Sequence, residues 1–409
     1  MNILSLLAAA TPPHDLWTIL INWIQGAVGN YGWTILLVTI LVKLIMTPID
    51  FLVKYSTKKQ TLIQKKCSPQ IAKLQKKFGA NQEQLRIQTQ AIYKREGLKM
   101  GTSCLVMMVN MILTMVVFFT FYGSLRNVSA YEVINQYETL EQSYDTGFKS
   151  AIINYKPDDE ITLESYDAWL AKVSEASAYV TNPNNDSNSD EWKNQNAIYE
   201  GSLEAVSYAD GKALENVLAT WNKSKDNWLW IDNIWVADAI VSPFPAYADM
   251  ISTANNGGYG EYAKAIDEAS YTKISSHIAK NATRTKNGYY ILPILVGLLS
   301  FFSQWVTDLH NKLKNKKAQQ LAKISDTTSG GNSMKLMKII LPLIMVGFAF
   351  TSSTSFGIYL IASSISSLLF GEIITLIIDK MTKKQRLEVE EVLEKEAERM
   401  IKKGKLQEK

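Results

Sequence analysis

The chain has 409 residues, 47% of them hydrophobic, a formal net charge of +4 and only two cysteines, Cys67 and Cys104. Apolar residues are gathered into five runs, Trp33–Val53, Met100–Tyr122, Tyr289–Val306, Ile339–Thr354 and Phe356–Ile378, which excludes an ordinary soluble fold. Both cysteines fall on the side expected to be cytoplasmic, so no disulfide framework is implied, and no GxxxxGK[ST] loop is present to bind a nucleotide.

In chain order, residues 1–30 form an N-terminal segment. Its start, MNILSLLAAATPPHD, lacks a basic region and gives a cleaved signal peptide little support. Leu16–Val28 alternates apolar and polar residues at helical spacing and carries Trp17 and Trp23, the pattern of a helix lying in the headgroup region. The other reading, a first span from Leu16 through Leu41, is interrupted by Gly26, Gly29, Asn30 and Gly32.

Residues 31–53 are the first expected span and 54–99 a basic helical hairpin, Lys54–Lys77 and Gln82–Gly97, joined at Phe78–Asn81. Leu74, Phe78, Leu85, Ile92 and Tyr93 are its expected seam. Residues 100–125 hold the second span. Residues 126–288 form a long acidic segment with six of the ten tryptophans; Glu164–Tyr179 and Ala197–Asn222 read as helices and Thr181–Asp190 as a disordered loop. The third span occupies 289–308, a basic loop 309–338, the fourth and fifth spans 339–378, and an amphipathic helical tail 379–409 with Val389, Leu393 and Met400 at helical spacing. The third and fourth runs are short for a hydrocarbon core of about 30 Å.

Charge orients this arrangement. Lys54–Lys99 holds 12 basic and 2 acidic residues, Leu309–Lys338 holds 7 basic residues and Asp326, and Arg126–Gly288 holds 24 acidic and 13 basic residues. The basic loops and the tail are expected in the cytoplasm, the acidic segment outside a cell membrane. The fold expected is therefore all-α and polytopic: a five-helix transmembrane core, a cytoplasmic hairpin and an enlarged, mainly helical outer domain.

Lys43 lies about ten residues into the first span, where a lysine costs at least ~2.5 kcal/mol unless it faces water or a polar partner. Thr39, Lys43 and Thr47 share one helix face. Asn110 reaches a similar depth in the second span, with Thr114 beside it. Ser300 and Gln304 in the third span, and Tyr359, Ser363, Ser366 and Ser367 in the fifth, add polar groups. Each serine or threonine alone is commonly helix-packing glue. Together with a central lysine they point to a hydrophilic groove.

These segments resemble the YidC family of membrane insertases, relatives of the Oxa and Alb proteins. The resemblance is carried by YGWTILLVTILVKLIMTPID (Tyr31–Asp50), the hairpin SPQIAKLQKKFGANQEQLRIQTQAIYKREG (Ser68–Gly97), MGTSCLVMMVNMI (Met100–Ile112), NWLWIDNIWVADA (Asn227–Ala239), YYILPILVGLLSFFSQWV (Tyr289–Val306), MKLMKIILPLIM (Met334–Met345) and FGIYLIASSISSLLFGEI (Phe356–Ile373). Lys43 stands where the family usually has arginine, Asn110 where it has glutamine, and Ser363 and Ser364 where it has asparagines; the outer region is enlarged by insertions around Ala130–Asp226 and Val241–Lys286. The resemblance implies an insertase and chaperone for nascent membrane proteins. It works in the lipid bilayer without cofactor, metal or catalytic residue. A Sec-type translocon is a candidate partner, and so is the ribosome through the hairpin and tail. A transporter or channel is the main alternative; five spans without inverted repeats or a mid-span acidic pair weigh against it. An intramembrane protease is left with a Ser–Lys dyad on Lys43, since none of His14, His277 and His310 lies mid-span beside a serine.

Overall fold

The computed structural model describes residues 11–79, 81–98, 100–155, 161–314 and 332–402. Expectations about the first ten residues, the Cys104 side chain, most of the 309–338 loop and the last residues of the tail lie outside them. The described residues form thirteen helices and no β-strand beyond one isolated bridge, Trp228 to Ile231. They divide into two compact units, residues 11–18 with 125–289, and residues 19–124 with 290–402.

The second of these is the apolar one. Helix α1 (Leu16–Val28) is opened by Asp15, whose carboxylate accepts from the Trp17 and Thr18 amides at 2.9 and 3.2 Å. Helix α2 (Tyr31–Phe78) runs 48 residues, capped by Asn30 accepting from the Trp33 amide at 3.2 Å. The expected first span and the first arm of the hairpin are thus one helix. Nothing between Val53 and Lys54 stops it, since Lys, Gln and Leu are good helix formers. Pro48 and Pro69 lie inside it. The chain turns at Gly79, and Asn81 caps α3 (Gln82–Arg95) by accepting from the Gln84 amide at 3.1 Å. Leu74, Phe78, Leu85, Ile92 and Tyr93 are each half-buried, as expected of a seam.

Helix α4 (Met100–Tyr155) runs 56 residues, well past the apolar run. Three later helices complete this unit: α10 (Ile291–Lys314), α11 (Asn332–Thr351) and α12 (Thr354–Met381). (The helices numbered between belong to the other unit.) Helix α12 packs most extensively on α2, and α10 packs on both α11 and α12. Gly357 permits that last approach, because a Cβ there would run into Leu292. Among the described residues, three helices are long and apolar enough to cross a bilayer: α2, α4 over Leu105–Tyr155, and α12. The apolar parts of α10 and α11, Ile291–Val306 and Pro342–Thr351, are shorter.

After a cap at Thr382, the tail forms α13 (Lys383–Lys402). It lies alongside the polar half of α2. Val389 and Leu393 are buried with Leu62, and Lys73 pairs with Glu396 at 2.8 Å.

The other unit has a conventional core. It contains α5 (Tyr166–Thr181), α6 (Asp190–Ser224), α7 (Tyr247–Asn256), α8 (Gly260–Ala265) and α9 (Glu268–Asn281), with the latter part of α4. Trp221, Phe244, Tyr271 and Tyr137 form a chain of ring contacts with centroids 4.8–5.5 Å apart. Residues 182–189, expected to be disordered, instead form a compact turn. Asn182 and Asp186 accept from the amides two residues on, and Ser189 caps α6 at the Trp192 amide. Asn and Asp make such turns because their side chains replace backbone partners.

The middle of the irregular segment 225–246, residues 231–235, is buried, and side-chain hydrogen bonds satisfy much of its backbone. Asn233 accepts from the Trp235 amide and donates to Gln136 Oε1 and the Pro243 carbonyl, while Asn287 accepts from the Asn233 amide at 2.7 Å. Trp235 Nε1 donates to Asp226 at 2.6 Å. Nearby, burial and then the field of Asp226 push the Glu132 carboxyl up to about 7. Burial raises Asp226 too, opposed by hydrogen bonds from Trp235 and Gln136.

Candidate functional site

A polar stripe runs along one face of α2. Thr39, Lys43 and Thr47 begin it, and Asp50, Lys54, Thr57, Lys58, Thr61 and Lys65 continue it in steps of one, three or four residues. Steps of three and four keep side chains on one side of a helix. At 1.5 Å per residue the stripe is about 39 Å long.

Its upper part is sparing with polarity. Thr39 is buried and its hydroxyl donates to the Ile35 carbonyl at 2.7 Å; Thr47 donates to the Lys43 carbonyl at 2.8 Å. Both donors are spent on their own helix. Lys43 is half-buried, and among the described residues no hydrogen bond or ion pair holds its ammonium; Asp50, two turns on, acts on it through space. On α4, Asn110 presents a buried side-chain oxygen with no hydrogen-bond partner, whereas Thr114 is exposed. An unsatisfied polar atom in an apolar setting costs about 1–3 kcal/mol.

The lower part of the stripe lines a cavity of about 400 Å³ between α2 and α12, closed on one side by Ser303 of α10. Lys58 pairs with Asp379 at 2.9 Å. Lys54 Nζ donates to the Gly371 carbonyl at 3.1 Å, and Thr375 Oγ1 donates to the same oxygen at 2.7 Å. Lys65, Thr57, Thr61 and Glu372 complete the polar lining, and Val53, Leu62, Leu368 and Ile378 supply apolar wall.

The residues singled out from the sequence are distributed over these helices. Ser367 lines the cavity. Tyr359 is buried in an aromatic cluster with Phe118, Phe121 and Phe356, centroids 4.8–6.2 Å away. Ser366 is buried; Ser300 and Gln304 are half-buried on α10. Sequence reasoning missed Lys54, Lys58, Lys65 and Asp379 as cavity residues, reading the first three as part of a basic loop and the last as tail. The signal was present: the Thr39–Lys43–Thr47 spacing continues past Val53. Among the described residues, no group of three or more His, Cys, Asp or Glu side chains is placed to hold a metal.

Comparison with known proteins agrees with the resemblance. Residues 23–188 match the family model described as 60Kd inner membrane protein. The membrane protein insertase YidC of Wolinella succinogenes is 28% identical over 109 residues, which is 27% of this chain and 19% of that protein. The membrane protein insertase YidC of Helicobacter pylori strain 26695 is 31% identical over 109 residues, 27% of this chain and 18% of that protein. That of Chlorobium limicola is 30% identical over 105 residues, 26% of this chain and 17% of that protein. The matched stretch thus spans less than a fifth of each of these relatives, and no solved structure matches the chain. Helices able to cross a bilayer and this match mark the chain as a membrane protein that, over residues 23–188, is similar to the family described as 60Kd inner membrane protein.

Proposed function

We propose that this chain is a membrane protein insertase and chaperone whose client path follows the upper stripe of α2. The observation that carries the reading is Lys43: a lysine about 15 Å into the apolar run that starts at Trp33, half-buried and without an ion-pair partner among the described residues. The unsatisfied Asn110 oxygen supports it. A polar segment entering hydrocarbon loses several kcal/mol per unsatisfied group, so a wet groove shortens the costly distance. The groove of this reading comprises Thr39, Lys43, Thr47, Asn110, Thr114, Ser300, Gln304, Tyr359, Ser363, Ser366 and Ser367, within a five-span core. Lys43 attracts acidic residues of the outgoing segment, and no cofactor takes part.

In this reading the hairpin, the 309–338 loop and the tail face the cytoplasm, and residues 126–288 lie outside. The hairpin's basic surface is the candidate ribosome contact. The apolar stripe of α13 is already buried against Leu62, which leaves its charged faces for a partner. An impermeant thiol reagent applied to intact cells should label cysteines introduced in 126–288 and spare those in 54–99. The native Cys67 is buried and will not confuse the pattern. The reverse labelling overturns the orientation.

The test of function is a Lys43 series at matched protein abundance. Lys43→Arg should retain insertion. Lys43→Ala should impair clients with acidic outer segments more than neutral ones, and Lys43→Glu more severely still. Equal insertion of both client classes by all three variants removes the electrostatic mechanism. A transporter or channel would instead show solute flux in liposomes.

A further inference from the structure

We infer that the cavity between α2 and α12 is a binding site for the phosphodiester of an anionic phospholipid headgroup. Three lysines of one helix face, Lys54, Lys58 and Lys65, line it, with two carboxylates, Glu372 and Asp379, on the opposite helix. Asp379 is engaged by Lys58, and Lys54 donates to the Gly371 carbonyl. Among the described residues Lys65 has no ion pair, so the lining carries one positive charge more than it neutralises. Its neighbours include hydroxyl groups, Thr57 and Ser367 among them, that suit phosphate oxygens.

Three further features select the ligand class. The cavity's volume of about 400 Å³ falls within the range of small-molecule sites, roughly 300–1,000 Å³. Its walls are mixed, with Val53, Leu62 and Leu368 beside the ammonium groups, as an ester-linked headgroup requires and a free inorganic ion does not. It also lies where the apolar run of α2 ends at Val53 and that of α12 ends near Ile378, the level at which spanning helices meet headgroups. Basic pockets between spanning helices on that side of a bilayer suit anionic headgroups. An acidic peptide segment matches the charge but not the depth or the apolar wall.

The test is binding to the purified full chain in neutral detergent, with four probes: short-chain phosphatidylglycerol, short-chain phosphatidylcholine, glycerol phosphate and an acidic peptide. Phosphatidylglycerol should bind more tightly than phosphatidylcholine and raise the thermal midpoint. Lys65→Gln should weaken it about fivefold, as one basic residue near a lipid surface contributes about that factor. Lys65→Arg should restore binding. Lys76→Gln, an exposed lysine of the same helix outside the cavity, should leave it unchanged. Glycerol phosphate binding as tightly as the lipid, with the same dependence on Lys65, keeps the phosphate site and assigns a soluble source. Equal binding of the two lipids overturns the inference. So does an equal loss in the Lys65→Gln and Lys76→Gln variants, or Lys65-dependent binding of the peptide alone. The Lys43 client series reads a different part of the stripe, so either proposal can fail without the other.

Discussion

The two units of this protein are built from the same element and solve opposite problems. In residues 125–289 the largest rings of the core are inside: Trp221 is 0% and Trp235 1% exposed. In residues 19–124 and 290–402 many are outside: Ile45 is 73%, Met107 64% and Leu298 60% exposed. A soluble monomer rarely shows a contiguous apolar surface of that kind. The difference teaches that helix formation here does not depend on where side chains point. The surrounding medium decides that, water for one unit and hydrocarbon for the other.

The contrast can be broken first at the largest buried ring. Trp221→Ala should destabilise the acidic unit by about 3–5 kcal/mol, the range for an aromatic removed from a packed core. Met107→Ala, on an exposed face of α4, should change stability by no more than about 0.5 kcal/mol. Pulse proteolysis of the full chain measures both. Similar losses would mean that the exposed apolar face is packed after all.

A second, smaller effect distinguishes the units by pH. The folded-state carboxyl of Glu132 titrates at about 7, above its ordinary value of 4.5. Between those values the folded form holds a proton that the unfolded form has released, so stability falls as pH rises through this window. Glu132→Gln should therefore stabilise the acidic unit above pH 7, by at most about 3 kcal/mol, and should make little difference below pH 4.5. Tryptophan fluorescence follows it, because seven of the ten tryptophans lie in that unit, six of them in residues 125–289. A gain that does not vary with pH would assign the effect to packing.

The tail sharpens the comparison at lower energy. Leu393→Ala removes part of a three-residue cluster and should cost about 2 kcal/mol of local docking, seen as faster proteolysis of α13 without global unfolding. Lys73→Ala removes the exposed lysine of the pair with Glu396, which keeps Arg399 at 3.7 Å, and should cost less than about 1 kcal/mol, fading in high salt. If Lys73→Ala releases the tail as fully as Leu393→Ala, charge rather than apolar contact holds it.

Much of this architecture was legible in the residues. Periodicity located helices of the right kind, and Asn30, Asn81 and Gly79 marked their ends, because capping chemistry is local. The apolar runs announced the medium, because burial in hydrocarbon demands uninterrupted side chains over many residues. Lys43 stood out for the same reason, as a charge where one is expensive. The lower half of the stripe did not, because charges past the end of an apolar run are common and a lysine-rich loop has a sufficient explanation in topology.

Tertiary structure alone decided three matters. It packed Tyr359, marked in the sequence only as a polar group on a span, against Phe118, Phe121 and Phe356. It laid the apolar stripe of α13 against Leu62, a pairing 327 residues apart at Val389 that no local pattern encodes. It brought Glu372 and Asp379 opposite Lys54, Lys58 and Lys65 and left space between them. The sequence sets what each helix can present, through propensity, capping and spacing. Which faces meet, and whether a cavity remains, depends on packing many side chains at once, where a single glycine such as Gly357 sets how closely two helices approach.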